Sequence, residues 1–157
     1  MPRSIQGTLH GAGKRIVIVS ARWNEFIVNR LQDGALEALR LHGVDDADIT
    51  IVRCPGSYEV PSVALHAALT LKPDAIITLG AVIRGNTPHF EYVSGPVSSG
   101  IAAVAMQTGI PCIFGVLTVN SVDQAMERAG VKSDNKGYEA AIAALEMISI
   151  YEQLRTL

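Results

Sequence analysis

At 157 residues, with 48% hydrophobic and 18% charged side chains, the chain is long enough for one sizeable core and too apolar to be disordered. A net charge of −2, with Lys and Arg scattered singly, excludes a basic footing for nucleic acid or an anionic membrane. No apolar run approaches the roughly 20 residues that span a bilayer, and Met1–Lys14 carries no apolar signal core, so a cytoplasmic protein is expected.

The mean hydropathy of +0.27 with so few charges leaves thin polar cover for a small monomer. That points to surface buried in an oligomer. Cys54 and Cys112 are too far apart in sequence for a zinc knuckle or a redox pair and read as buried free thiols. No repeat, low-complexity tract or linker interrupts the chain, so residues 1–157 are expected to form one domain, with residues 1–14 as an N-terminal arm.

Strand and helix patterns then alternate. Arg15 to Ser20 is a continuous apolar run, the pattern of a strand covered on both faces. Asn24 stands where a cap would open the following helix, in which Ile27, Leu31, Ala35, Ala38 and Leu39 recur at helical spacing. His42-Gly43 closes it, with a left-handed glycine. Asp48 to Arg53 reads as a second strand.

Glu59 opens a second helix, with Pro61 in the first turn where a missing N–H costs nothing. Its stripe is Val60, Val63, Ala64, Ala67, Ala68 and Leu71, and Lys72-Pro73-Asp74 stops it. A third strand is expected over Ala75–Leu79 and a third helix from Phe90 to Gln107, ended by Gly109 and Pro111. Cys112–Val119 reads as the fourth strand. Ser121 caps a short helix to Ala129, and after the polar loop Lys132–Lys136 a last helix turns Tyr138, Ala141, Ile142, Leu145 and Ile148 inward.

This order predicts an α/β fold: a flavodoxin-like three-layer sandwich whose four-stranded parallel sheet has the order 2-1-3-4, with helices on both faces. Ligands in such sheets sit at the carboxyl ends of the strands. The unusual residues cluster there.

Gly80 to Tyr92 is the densest segment. It leaves a strand and enters a helix, and Gly85 allows close backbone approach to a ligand. Free amides at a helix start suit phosphate. His89, in that first turn, can take a proton from a substrate carbon or amine. A capping histidine beside an ordinary glycine turn would look the same, and the segment has neither a P-loop nor a dinucleotide fingerprint.

In Cys54–Pro61, Glu59 is either a dipole-complementing cap or a carboxylate that binds a polyol or heterocycle. Trp23 lies in a polar turn, where its face can stack on a flat ring. Phe114 by its pattern is a core residue, and Arg128 and Lys136 are by default solvated charges.

With these segments in register, the sequence resembles the lumazine synthase family along nearly its whole length. The resemblance rests on Arg84-Gly85-Asn86-Thr87-Pro88-His89-Phe90-Glu91-Tyr92-Val93, on Pro55-Gly56-Ser57-Tyr58-Glu59-Val60-Pro61, and on Glu127-Arg128-Ala129-Gly130 with Asp134-Asn135-Lys136-Gly137. It implies condensation of 5-amino-6-ribitylaminouracil with 3,4-dihydroxy-2-butanone 4-phosphate to 6,7-dimethyl-8-ribityllumazine, the penultimate step of riboflavin biosynthesis, with release of phosphate and water.

By that resemblance Trp23, where many members carry Phe, stacks on the pyrimidine. Asn24, Ser57, Tyr58 and Glu59 hold the ring and ribityl chain, and Ala81, Val82 and Ile83 line the ring through the backbone. Gly85, Asn86, Thr87 and Arg128 bind the phosphate, supported by Lys136, and His89 transfers protons. Phe114 and Arg128 come from the adjacent subunit.

The same resemblance implies no cofactor, no metal and a homopentamer. The loop Gly130–Gly137 departs in three places from the pattern of members that build a sixty-subunit shell, which leaves pentamer or shell open with a lean to the shell. Ile5–His10 is expected to add a strand to a neighbour's sheet. Two rivals are weaker. A non-catalytic flavin carrier would not need His89 and Arg128, and an FMN-binding flavodoxin module would carry a Ser/Thr/Gly-rich loop where Ala21-Arg22-Trp23-Asn24 stands.

Overall fold

The computed structural model describes residues 1–130 and 134–157. Four parallel strands, β1 (Ile16–Ala21), β2 (Ile49–Cys54), β3 (Ala75–Ile83) and β4 (Cys112–Val119), lie in the order β2-β1-β3-β4. This is the flavodoxin-like α/β arrangement expected from the alternation of apolar runs. β1 and β3 are central and are buried almost throughout, because helices cover both faces.

α1 (Glu25–Leu41), α4 (Val122–Arg128) and α5 (Lys136–Arg155) cover one face. Leu31, Leu39 and Leu145 meet Ile16, Ile18, Ile77 and Leu79 there. α2 (Val60–Leu71) and α3 (His89–Thr108) cover the other, where Val60, Val97 and Ile101 pack on Val17, Val19 and Ile76. Each fully buried Leu, Ile or Val contributes roughly 1.5–3 kcal/mol relative to exposure, so two such layers supply the main driving force for folding. The interior polar groups are satisfied locally: Ser20 donates to Gln32 Oε1 at 2.7 Å and Thr78 donates to the Ile113 carbonyl at 2.7 Å.

Several local expectations needed correction. β3 does not stop at Leu79; it continues to Ile83, because Gly80–Ile83 pair with Val116–Val119. Asn24 takes the N-cap position of α1 but makes no side-chain cap. Its backbone is left-handed, with φ 61°, and its amide is used elsewhere. Leu71, placed on the inner stripe of α2, is 40% exposed, and Tyr138 and Ile142 of α5 are only half-buried against the core. In the compared loop Gly130–Gly137, the departures at Val131 and Ser133, and Lys132 between them, lie outside the described residues.

Other signals are borne out. Gly43 has φ 92° beyond α1, Gly109 has φ 71° at the end of α3, and Ser121 Oγ accepts from the Gln124 amide to cap α4. Residues 1–14 form no strand within this chain. The segment runs along α5, where the Thr8 amide donates to Ser149 Oγ, Gln153 donates to the Gln6 carbonyl, and Lys14 pairs with Glu152 at 2.7 Å. No helix among the described residues is long and apolar enough to cross a membrane.

α1 and α5 cross closely because of two glycines. A Cβ on Gly137 would overlap the Leu31 carbonyl, and one on Gly34 would overlap the side chain of Asn135. The Gly137 contact is backbone against backbone and cannot be relieved by a rotamer change. Gly137→Ala is therefore expected to destabilise the fold by about 1–3 kcal/mol, read as a lower Tm in a thermal melt.

Candidate active site

The site begins with a length mismatch between neighbouring strands. β1 pairs with β3 only as far as Ser20 opposite Leu79, whereas β3 pairs with β4 out to Ile83 opposite Val119. Beyond Leu79, β3 therefore has a free edge on its β1 side. Backbone groups alternate sides along a strand, so those of Ala81 and Ile83 share one edge while Val82 turns to the other. The Asn24 amide donates to the Ala81 carbonyl at 2.9 Å, which identifies the Ala81 edge as the open one. A free strand edge is a ready hydrogen-bonding surface for a planar heterocycle.

Two turns wall this edge. Arg22 N–H donates to the Cys54 carbonyl at 2.7 Å and Trp23 N–H to the Pro55 carbonyl at 2.9 Å, so the turn after β1 rides on the turn after β2. Gly56 supplies the space: a Cβ there would overlap the Trp23 ring. Trp23 is left 61% exposed, with one part of its ring against the backbone. Residues Ser57–Glu59 form a single 3-10 turn ahead of α2.

The Glu59 carboxylate accepts the Gly56 N–H at 3.0 Å, which holds the turn closed. Ser57 is buried against Gly80, where an added Cβ would stand 2.6 Å from its Oγ. Gly80 therefore serves close packing inside β3, which explains why a strand exit read from that glycine came four residues too early.

The result is a cleft of about 530 Å³ lined by Trp23, Asn24, Ser57, Tyr58, Glu59, Ala81, Val82, Ile83, His89, Tyr92 and Val93. Nine of these were singled out from sequence. Tyr92 and Val93 were missed, although they stand three and four residues after His89 and so share its helix face. A second cleft, of about 510 Å³ beside α1 and the start of α5, gathers none of the expected residues.

At the mouth, Gly85, Asn86 and Thr87 form an exposed loop running into α3. Among the described residues their amides donate to no protein acceptor, while the His89 amide makes a long contact of 3.4 Å to Thr87 Oγ1. Gly85 has an ordinary φ, and a Cβ there would meet nothing within 4 Å. Nothing in the packing of the described residues explains that glycine.

Phe114, Arg128 and Lys136 do not line the cleft. Phe114 pairs with Thr78, three residues or about 10 Å short of Ala81, and is half-buried on the α2–α3 side. Arg128 ends α4 and is exposed, and Lys136 begins α5. Asn135 holds that corner: its amide donates to the Arg30 and Gly130 carbonyls at 3.0 and 3.1 Å, and its Oδ1 caps α5 through the Tyr138 N–H.

No thiolate is on offer near neutral pH. Burial raises the Cys54 thiol, helped by the Glu59 carboxylate, and burial pushes Cys112 up to about 12. Among the described residues, no group of three His, Cys, Asp or Glu side chains is placed to hold a metal. The cleft offers a flat aromatic face, an open strand edge, the His89 imidazole and, at its mouth, amides with no acceptor among the described residues.

A family described as 6,7-dimethyl-8-ribityllumazine synthase matches residues 13–152. Proteins bearing that name are similar to nearly the whole chain. One from Desulfotalea psychrophila is 50% identical over 155 residues, covering 99% of this chain and 100% of its own. One from Chlorobium luteolum is 48% identical over 152 residues, covering 97% and 98%.

Because Trp23 is the sole tryptophan, its environment can be read directly. Gly56→Ala is expected to push the ring off the wall, shift its fluorescence emission, and weaken binding of a flat heteroaromatic ligand severalfold. Unchanged emission and affinity would mean that this contact does not set the ring.

Proposed function

The chain belongs to the 6,7-dimethyl-8-ribityllumazine synthase family, and we propose that its cleft binds the pyrimidine substrate while the adjoining loop binds the phosphorylated one. The enzyme is a transferase of riboflavin biosynthesis. It condenses 5-amino-6-ribitylaminouracil with 3,4-dihydroxy-2-butanone 4-phosphate and releases phosphate and water. The observation that carries the assignment of the cleft is the overhang of β3, whose open edge at Ala81 and Ile83 faces the Trp23 wall.

In this reading the pyrimidine stacks on Trp23 and hydrogen-bonds the backbone of Ala81 and Ile83; Val82, whose backbone turns to β4, lines the ring without that bond. The ribityl chain runs past Asn24, Ser57, Tyr58 and Glu59. The phosphate sits on the amides of Gly85, Asn86 and Thr87. A helix start favours an anion there. The substrate amine attacks the ketone carbonyl, and loss of water leaves an imine. His89 then moves the protons that accompany departure of phosphate and closure of the second ring. Holding amine and carbonyl together supplies much of the acceleration, which suits a site with no activated nucleophile and calls for no cofactor.

The site is incomplete in one subunit. Phe114 and Arg128 act in the cleft of a neighbour, where Phe114 covers the exposed face of the ring, Arg128 clamps the phosphate and Lys136 supports it. The distance of Phe114 from the cleft of its own chain supports this. The one-domain chain forms a homopentamer in the cytoplasm, and its native mass decides between a free pentamer and a sixty-subunit shell. Ile5–His10 of the arm adds a strand at the free edge of a neighbour's β2, where Ile51 is 40% exposed.

Mixing the protein with both substrates and following lumazine absorbance tests the assignment; no acceleration with tight lumazine binding would point to a carrier. Arg128→Ala is expected to raise KM for the butanone phosphate at least severalfold and to spare affinity for the pyrimidine, as checked by steady-state kinetics and ligand titration. His89→Ala is expected to lower kcat severalfold or more with an unchanged thermal melt. An unchanged rate at saturating substrate would remove His89 from the proton steps.

A further inference from the structure

Resting on the reading of Gly85–Thr87 as a phosphate loop, we infer that Arg84 is a positioning residue: an internal strut that holds this loop open and does not itself bind the substrate phosphate.

Arg84 stands at the point where β3 ends and the loop begins. Its N–H donates to the Val119 carbonyl at 2.8 Å, which fixes its backbone to the end of β4. Its side chain then turns back across the base of the loop. Nε donates to Asn120 Oδ1 at 3.0 Å, Nη1 pairs with the Glu91 carboxylate, and the guanidinium lies over the Phe90 ring with Cζ 4.3 Å from the centroid. Asn120 is itself held, because its N–H donates to Gln124 Oε1 at 2.7 Å. The Glu91 carboxyl lies below the usual carboxylate range, chiefly through the Arg84 hydrogen bond.

One side chain thus ties the end of the β3–β4 pair to the first turn of α3, and Gly85–Pro88 is the stretch bridged between those anchors. The loop has little else to restrain it. Its amides have no acceptor among the described residues, and a Cβ added at Gly85 would meet none of their atoms within 4 Å. A loop that must be ordered when phosphate arrives charges that entropy against binding. Pinning both ends beforehand removes part of the cost, and it also fixes the start of the helix that carries His89.

The residue type fits a strut better than a ligand. A planar guanidinium can stack on Phe90 and donate in two directions at once, which a lysine ammonium cannot copy. Its Nε and Nη1 donors are already committed to Asn120 and Glu91. Both members of the ion pair are about half exposed, so breaking it removes little global stability and the variants are expected to fold.

The test compares Arg84→Lys, Glu91→Gln and Thr87→Ala with the wild type in the full assembled protein. The readouts are KM for each substrate, kcat, Ki for inorganic phosphate and the thermal melt. The strut predicts that Arg84→Lys and Glu91→Gln both raise Ki for phosphate and KM for the butanone phosphate severalfold, with KM for the pyrimidine unchanged. If Arg84 were a phosphate ligand, Glu91→Gln would free it, and Ki would hold or fall; that result overturns the inference. Equal loss of affinity for both substrates, tracking a lower Tm, overturns it as well.

Thr87→Ala separates the two readings. If it weakens phosphate binding while the other variants do not, the phosphate loop stands and only the strut fails. If it leaves both phosphate readouts at wild-type values, the loop reading fails and the strut falls with it.

Discussion

The cleft depends on close contact between backbone and side chain at two glycines. At Gly80 the hydroxyl of Ser57 occupies the space of a side chain, and at Gly56 the Trp23 ring does the same. These contacts seat the turn after β2 directly on the end of β3 and lay the turn after β1 against it. With larger residues the two turns would ride further out, and the open edge of β3 would face bulk water. Enclosure matters because a hydrogen bond to a strand edge competes with water until water is displaced.

Around that edge the chain divides its labour by chemistry. The interior of the cleft is mostly neutral: a tryptophan face, the end of a buried strand, a buried serine, and a carboxylate already turned back to its own turn. The mouth, proposed to take the phosphate, has amides with no acceptor among the described residues ahead of a twenty-residue helix. Arg84 and Glu91 nearly cancel each other's charge within the same few residues, so the attraction of the loop for an anion comes from oriented amides more than from a fixed cation. In the proposed assembly a further positive charge is supplied by Arg128 of a neighbour.

The placement of Arg128, Lys136 and Asn135 makes this economical. Asn135 ties the start of α5 to α1 and to the end of α4, so the two cations sit on a braced corner of the fold. The same corner depends on the tight crossing of α1 and α5 at Gly34 and Gly137. In the proposed assembly, packing in the α1–α5 layer of one subunit thereby sets the geometry offered to the next.

The order of elements, the parallel sheet and its strand order were legible in the sequence, because they follow from periodicity and from the need for a helix in each parallel crossover. Much of the cleft was legible too, since Trp23, Ser57–Glu59, Ala81–Ile83 and His89 do converge there, whereas Arg128 and Lys136 of the third motif lie away from it. What the sequence could not show was how far β3 runs. Gly80 looks like a strand exit, and only the neighbouring Ser57 reveals that the glycine serves packing inside the strand. Nor could it show that Asn24 forgoes its cap to hold the Ala81 carbonyl, a contact between residues far apart in the chain. The commitment of Arg84 to Asn120, Phe90 and Glu91 likewise exists only once β4 lies beside β3. Local pattern determines which elements form; contacts across the sheet decide which backbone edges and side chains remain free to act.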